Sequence, residues 1–188
     1  MTISHWLIVA LWLIFIAYWA IAALSAKRSL GAWWKGCGLR LSIIILVLLA
    51  LRIPPLRQAL RYIQVYEAQS VLMGPIGVAL CAAGVGLAIW ARVHLGRNWG
   101  MPASRKEDPE LVTTGPYTVI RHPIYAGILL AMVGSAIGDR VYWLLPLILF
   151  GAYFIYSARR EEKMMTEQFP DQYLAYMQRT KMLLPFVL

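Results

Sequence analysis

Arg121-His122-Pro123-Ile124-Tyr125 places a guanidinium, an imidazole and a phenol within five consecutive residues. Arginine offers a rigid fork of donors and histidine an orientable one, so Arg121 and His122 suit an anionic group such as a carboxylate. Downstream, Glu161-Glu162 can accept hydrogen bonds from an ammonium or from vicinal hydroxyls. Tyr117 and Tyr125 add flat walls for an aromatic ring or a cation. A ligand that combines carboxylate, ammonium, ribose, adenine and a positive sulfur matches this inventory. The same residues also admit a purely structural arrangement, in which Arg121 ion-pairs with the glutamates and His122 caps a helix. A further polar cluster, His94-Leu95-Gly96-Arg97-Asn98-Trp99, lies upstream.

Long apolar runs position these clusters. Of the 188 residues, 60% are hydrophobic and 14% charged, and mean hydropathy is +0.61. Soluble domains carry about 25% charged residues, so both disorder and an ordinary soluble fold are excluded. The net charge of +9 would suggest nucleic acid in a soluble chain. Here the charges fall between apolar runs, so a membrane is the expected partner and nucleic acid is not. Trp6–Leu24, Ala68–Ala91 and Val141–Ala158 each approach the ~20 residues that cross a bilayer. Leu41–Leu51 (or a run from Gly36, tolerating Arg40) and Pro123–Gly138 are shorter, giving five predicted spans in all. The short runs span if flanking side chains snorkel or the bilayer thins. No cleaved signal peptide is expected, because no Lys or Arg precedes the first run.

Only Asp139-Arg140 separates the fourth and fifth spans, so they form an antiparallel hairpin. That turn alone brings the Arg121–Tyr125 block and Glu161-Glu162 to one membrane face. The third span is rich in small residues, and Ala82 and Gly86 at i, i+4 predict a close-packing face. Pro75 predicts a kink at its outer end. Pro102–Pro109 is the stretch most prone to disorder. The run Glu161–Met182 reads as an amphipathic helix broken at Pro170. Cys37 and Cys81 form no C-x-x-C and read as small apolar fillers. No H-E-x-x-H or other metal motif is present, and no metal is expected.

Counted by side, Lys and Arg number 14 after spans one, three and five, and 4 in the opposite loops. The positive-inside rule puts the 14 in the cytoplasm, the C-terminus inside and the N-terminus outside. The polar clusters therefore belong to the cytoplasmic face of the cell (inner) membrane.

Leu111-Val112-Thr113-Thr114-Gly115-Pro116-Tyr117, followed by Arg121-His122-Pro123-Ile124-Tyr125-Ala126-Gly127, resembles the isoprenylcysteine carboxyl methyltransferase family and its phospholipid methyltransferase relatives. Glu161-Glu162, Phe169, Tyr173, Tyr176 and Pro185 are similar as well, and Leu95–Trp99 is a weaker match. The resemblance covers roughly Leu95 to Pro185. It implies an all-α, polytopic methyltransferase that uses S-adenosylmethionine and acts on a membrane lipid or prenylated amphiphile. One domain, 1–188, would hold three spans in 1–91. Residues 92–188 would hold the cofactor-binding loop, the hairpin and the C-terminal amphipathic helix. Carried over residue by residue, the donor would contact Leu111, Val112, Tyr117, His122, Pro123, Ile124, Tyr125 and Glu161, with Arg121 and Glu162 beside them. Isoprenylcysteine enzymes carry a substrate-facing arginine four residues before that glutamate. Here the position is Ser157, with Arg159 and Arg160 nearby, so the acceptor-binding expectation rests on these three and a prenylcysteine carboxylate is in doubt. No covalent protein nucleophile is needed.

Two alternatives stay open on the sequence. Sterol-type reductases share an Arg-His-Pro block and use a nicotinamide dinucleotide, but have more spans. A small transporter or scaffold is the other, although none of the five apolar runs contains the Asp or Glu common in proton-coupled carriers.

Overall fold

The computed structural model describes residues 2–23, 72–96 and 110–183. It also describes 105–106 and isolated positions between 29 and 59. Among these residues the fold is all-helical, apart from a two-residue antiparallel pairing of Ser29–Leu30 with Arg105–Lys106. The helices are α1 (Ile3–Ala23), α2 (Met73–Leu95), α3 (Pro123–Gly138), α4 (Leu144–Gln168) and α5 (Pro170–Arg179). Short 3-10 turns occupy Gly115–Thr118 and Val141–Trp143. Three segments are long and apolar enough to cross a membrane: Ile3–Ala22, Met73–Leu95 and Val141–Gln168. With the shorter apolar α3 among them, the chain is a polytopic integral membrane protein. Most of the predicted second span, Cys37, Arg97–Trp99, most of Pro102–Pro109 and Pro185 lie outside the described residues. The described positions Ser42, Ile45 and Leu49 are helical.

α1 and α2 run parallel. Ser4 lies against Gly74 at their starts, and the Ala22 carbonyl accepts from Arg92 at their ends. This is the orientation that five spans require of the first and third. α3 returns antiparallel to α2 and packs on it far more extensively than on α4. The contact is glycine-lined: a Cβ at Gly77 would strike Gly138 and Gly134, and one at Gly84 would strike Gly127 and Ala131. Backbones approach this closely only where side chains are absent, which is how small residues associate helices without a hydrophobic driving force. The predicted Ala82–Gly86 face is a correction. Both residues are exposed, and the packing face is Gly77, Cys81, Gly84, Val85 and Ala88.

Pro75 and Arg92 lie near the two ends of α2. Pro75 falls in the first turn of α2, where its missing N–H breaks no intrahelical bond. Arg92 does not end the helix. Its side chain is buried, and its guanidinium donates to the Gly96 and Ala22 carbonyls, both at 2.6 Å. A cation bonding carbonyls at helix ends also complements their dipoles. α2 ends one turn later at Gly96, whose φ of +52° lets its N–H turn back to the Arg92 and Val93 carbonyls.

At the far end of the bundle, His5 Nδ1 lies 2.7 Å from Asp139 Oδ1. Trp12 stacks on Trp143 at 5.2 Å and donates to Ser135 Oγ at 3.0 Å. These contacts fasten α1 to the α3–α4 turn. The hairpin itself is as expected, with Leu129 meeting Gly151 and Tyr125 meeting Phe154 across it. α4 continues without a break to Gln168, well beyond the apolar run that ends at Ala158. Its 25 residues measure about 37 Å, longer than ~30 Å of hydrocarbon, so its charged last turns stand clear of the bilayer core.

Candidate active site

The site gathers where α3 begins and α4 ends. Pro123 occupies the first position of α3, where a proline costs no hydrogen bond, and His122 precedes it as the N-cap residue. The His122 side chain makes no capping bond, so the ring is directed elsewhere. It stacks on Tyr125 at 5.5 Å, and Tyr125 stacks on Phe154 of α4 at 4.6 Å. The Tyr125 hydroxyl donates to Glu161 Oε1 at 2.5 Å.

His122 sits between two carboxylates. Nδ1 is 3.5 Å from Glu161 Oε2, and Nε2 is 3.4 Å from Glu162 Oε1. The ring is only 9% exposed, and Nε2 makes no hydrogen bond of acceptable geometry. Burial disfavours the charged ring, but the two glutamates outweigh it and hold the His122 pKa above its ordinary value.

Arg121 has a different set of partners. Nε donates to Glu162 Oε1 at 2.6 Å, and Nη1 donates to the Thr180 carbonyl at 2.5 Å and the Met177 carbonyl at 3.4 Å. The ion pair expected as the structural alternative is therefore present. It involves Glu162, while Glu161 bonds Tyr125.

The tyrosines close the rear. Tyr176 Oη donates to the Tyr117 carbonyl at 2.6 Å. Burial pushes the Tyr176 phenol up to about 12, so it remains a donor at neutral pH. Burial likewise raises Tyr117 and Tyr173. Gly115 adopts φ +59°, and the space its Cβ would need is filled by the His94 ring. That contact seats the Gly115–Thr118 turn on the end of α2.

Among the remaining sequence candidates, Leu111, Val112 and Ile124 are half-buried, and Pro123 is buried. Ser157 is buried on α4, one turn before Glu161. Arg159 and Arg160 are exposed and are not brought into the cluster. Sequence reasoning missed Phe154, Thr180, Lys181 and Met182. Phe154 was within reach, because it lies 14 residues after Arg140 as Tyr125 lies 14 before Asp139. Thr180–Met182 contribute main-chain groups, which leave no side-chain signal. Among the described residues, no group of three or more His, Cys, Asp or Glu is placed to hold a metal ion.

The profile of the phospholipid methyltransferase family matches residues 73–172, which is 100 of the 188 residues. The chain belongs to the phospholipid methyltransferase family. Leu111 to Glu162, the residues expected from the sequence to hold the donor and the acceptor, fall inside the matched range. The chain is also similar to the nickel-cobalt-cadmium resistance protein NccN of Alcaligenes xylosoxydans xylosoxydans. They are 27% identical over 121 residues, 63% of this chain and 51% of NccN. The cobalt-zinc-cadmium resistance protein CzcN of Cupriavidus metallidurans is 28% identical over 115 residues, 60% of this chain and 48% of CzcN. The chain thus spans about half the length of these curated relatives. Among solved structures, it is similar to the eukaryotic intramembrane Ras methyltransferase ICMT, isoprenylcysteine carboxyl methyltransferase. That match has 22% identity and a TM-score of 0.49, covering 84% of this chain and 55% of that one.

Proposed function

We propose that this phospholipid methyltransferase family member transfers a methyl group from S-adenosylmethionine to a lipid or other amphiphile at the cytoplasmic face of the cell membrane. The observation that carries the reading is the closed cluster of His122, Tyr125 and Glu161 at the end of the hairpin. Its donor set fits S-adenosylmethionine. A buried imidazole nitrogen lacks a hydrogen-bond acceptor, and a carboxylate can take an ammonium or hydroxyls.

In this reading Leu111, Val112, Tyr117, His122, Pro123, Ile124, Tyr125 and Glu161 hold the donor. Arg121 and Glu162 complete the charged frame. Bound there, the donor supplies an electrophilic methyl group on a sulfonium, and sulfur keeps the bonding electron pair as the acceptor takes the methyl. The chain supplies no nucleophile of its own. Its residues orient the two reactants, exclude water and place carboxylates where a positive ligand is held.

Ser157, buried one turn from Glu161, faces the acceptor side, with Arg159 and Arg160 at the exposed headgroup level. A water-soluble donor arrives from the cytoplasm and an amphiphile from the inner leaflet, and the cytoplasmic ends of α2 to α4 serve both. The excess of basic residues on that side supports this orientation.

Two experiments test the reading. Calorimetry in detergent should show S-adenosylmethionine binding that His122→Ala and Glu161→Ala each weaken roughly ten- to a hundred-fold, while Lys163→Ala on the exposed side of α4 does not. Mass spectrometry of a lipid extract incubated with methyl-labelled donor should show label in a lipid. Unchanged affinity in both test variants, or label appearing only in water-soluble acceptors, would overturn it.

A further inference from the structure

We propose that Arg121 is a positioning residue rather than a ligand of the methyl donor, and that the strap Tyr176–Met182 is a working wall of the site. This rests on the donor-site reading above. The strap lies beyond the family match, which ends at residue 172.

Three observations converge. First, the Arg121 side chain is 10% exposed, with Nε engaged by Glu162 Oε1 and Nη1 by the Thr180 and Met177 carbonyls. Those carbonyls sit at the C-terminal end of α5, where the last acceptors of a helix lack intrahelical partners and carry partial negative charge. Turning toward a ligand carboxylate would break the 2.6 Å bond to Glu162, itself only 13% exposed.

Second, the strap forms a short main-chain ladder with the segment leading into α3. Arg121 N donates to the Lys181 carbonyl at 2.8 Å, His122 N to the Met182 carbonyl at 3.1 Å, and Lys181 N to the Val119 carbonyl at 3.1 Å. Ile120 and Lys181 form a parallel bridge. The backbone of His122 is thereby set by residue 182. Met182 and Leu183 also pack in the same apolar cluster as Tyr125 and Phe154.

Third, Tyr176, 4% exposed, fixes the Tyr117 carbonyl from the other side. Three residues assigned to the site, Tyr117, His122 and Glu162, are thus each held by a bond that reaches the strap directly or through Arg121.

The test separates a strut from a ligand. Binding of S-adenosylmethionine and of its decarboxylated form is measured by calorimetry for wild type, Arg121→Lys, Tyr176→Phe and Arg121→Lys/Glu162→Gln, with exposed Gln178→Ala as control. Lysine cannot reach all three acceptors, so Arg121→Lys should weaken both ligands by the same factor, about ten-fold or more. Tyr176→Phe, which removes one oxygen, should weaken both in the same direction and leave the acceptor KM unchanged. The double variant should bind no worse than Arg121→Lys, as expected for two ends of one strut.

Selective loss of the carboxylated ligand in Arg121→Lys would show that Arg121 grips the donor. Wild-type affinity in both Arg121→Lys and Tyr176→Phe would also overturn the proposal. If Arg121→Lys does not fold, as judged by size exclusion and thermal unfolding, Tyr176→Phe decides. A wild-type protein that binds neither ligand overturns the donor-site reading and this proposal together. Binding by wild type with indifferent variants overturns this proposal alone.

Discussion

Tyr125 and Glu161 lie 36 residues apart in sequence and are joined by a 2.5 Å hydrogen bond across the base of the α3–α4 hairpin. The phenol ring is stacked on both sides, by His122 and by Phe154. Tyr125→Phe would keep both stacks and remove only the donor. The expected loss of stability is about 1.5 to 3 kcal/mol, the range for a hydrogen bond to a charged group. Chemical unfolding in detergent, followed by circular dichroism, measures it. Stability equal to wild type would show that the bond is replaced by water without cost.

The pKa of His122 is held above its ordinary value of 6.5 because Glu161 and Glu162 outweigh burial. A raised folded-state pKa means that the protonated ring favours the folded state. This contribution is fully present below the unfolded value of about 6.5 and is lost as pH rises through the folded value. The midpoint of thermal unfolding should therefore fall as pH is raised from about 6 across the neutral range. In His122→Gln that dependence should be flatter. A wild-type midpoint that rises over this interval, or a variant with the same slope, would contradict the assignment.

Much of this arrangement is legible in the sequence, and the rest fails for identifiable reasons. α3 falls on the predicted residues because Pro123 and Gly138-Asp139 punctuate it at both ends. The meeting of Tyr125 with Glu161 follows from a turn too short for any other topology. The length of α4 was not legible from hydropathy. Arg159-Arg160-Glu161-Glu162 ends an apolar run, yet arginine and glutamate are good helix formers, so the helix continues. The α2 packing face was misread because small residues occur all around that helix. Composition alone does not distinguish Gly77 and Gly84 from Ala82 and Gly86. Arg92 reads as a boundary charge, while its fork reaches carbonyls at the ends of two helices.

The proposed orientation rests on the 14-to-4 distribution of Lys and Arg. The basic segments after α2 and α4 share the end that holds His122 and Glu161. A reporter fused after Leu188 should therefore score as cytoplasmic, and one placed before Ile3 as external. The opposite result at the C-terminus would move the site to the other face and exclude a cytoplasmic methyl donor.

Gly84 and Gly86 lie two residues apart on α2 and give opposite expectations. A Cβ on Gly84 would come within 2.5 Å of the Gly127 carbonyl and crowd the Ala131 backbone N. Both obstacles are main chain, so neither can rotate away, and α3 must shift bodily. Overpacking of this kind costs about 1 to 3 kcal/mol. The displacement would also move His122 and Tyr125, which α3 carries at its start. Gly86 has no described atom within 4 Å of where its Cβ would stand. There alanine brings only its better helix propensity, worth about 0.5 to 1 kcal/mol over glycine. Gly84→Ala should accordingly lower the thermal midpoint and weaken donor binding together, while Gly86→Ala should raise the midpoint slightly and leave binding unchanged. If Gly84→Ala is as stable as wild type, α2 and α3 are not in backbone contact, and the packing described for the site-bearing hairpin is wrong.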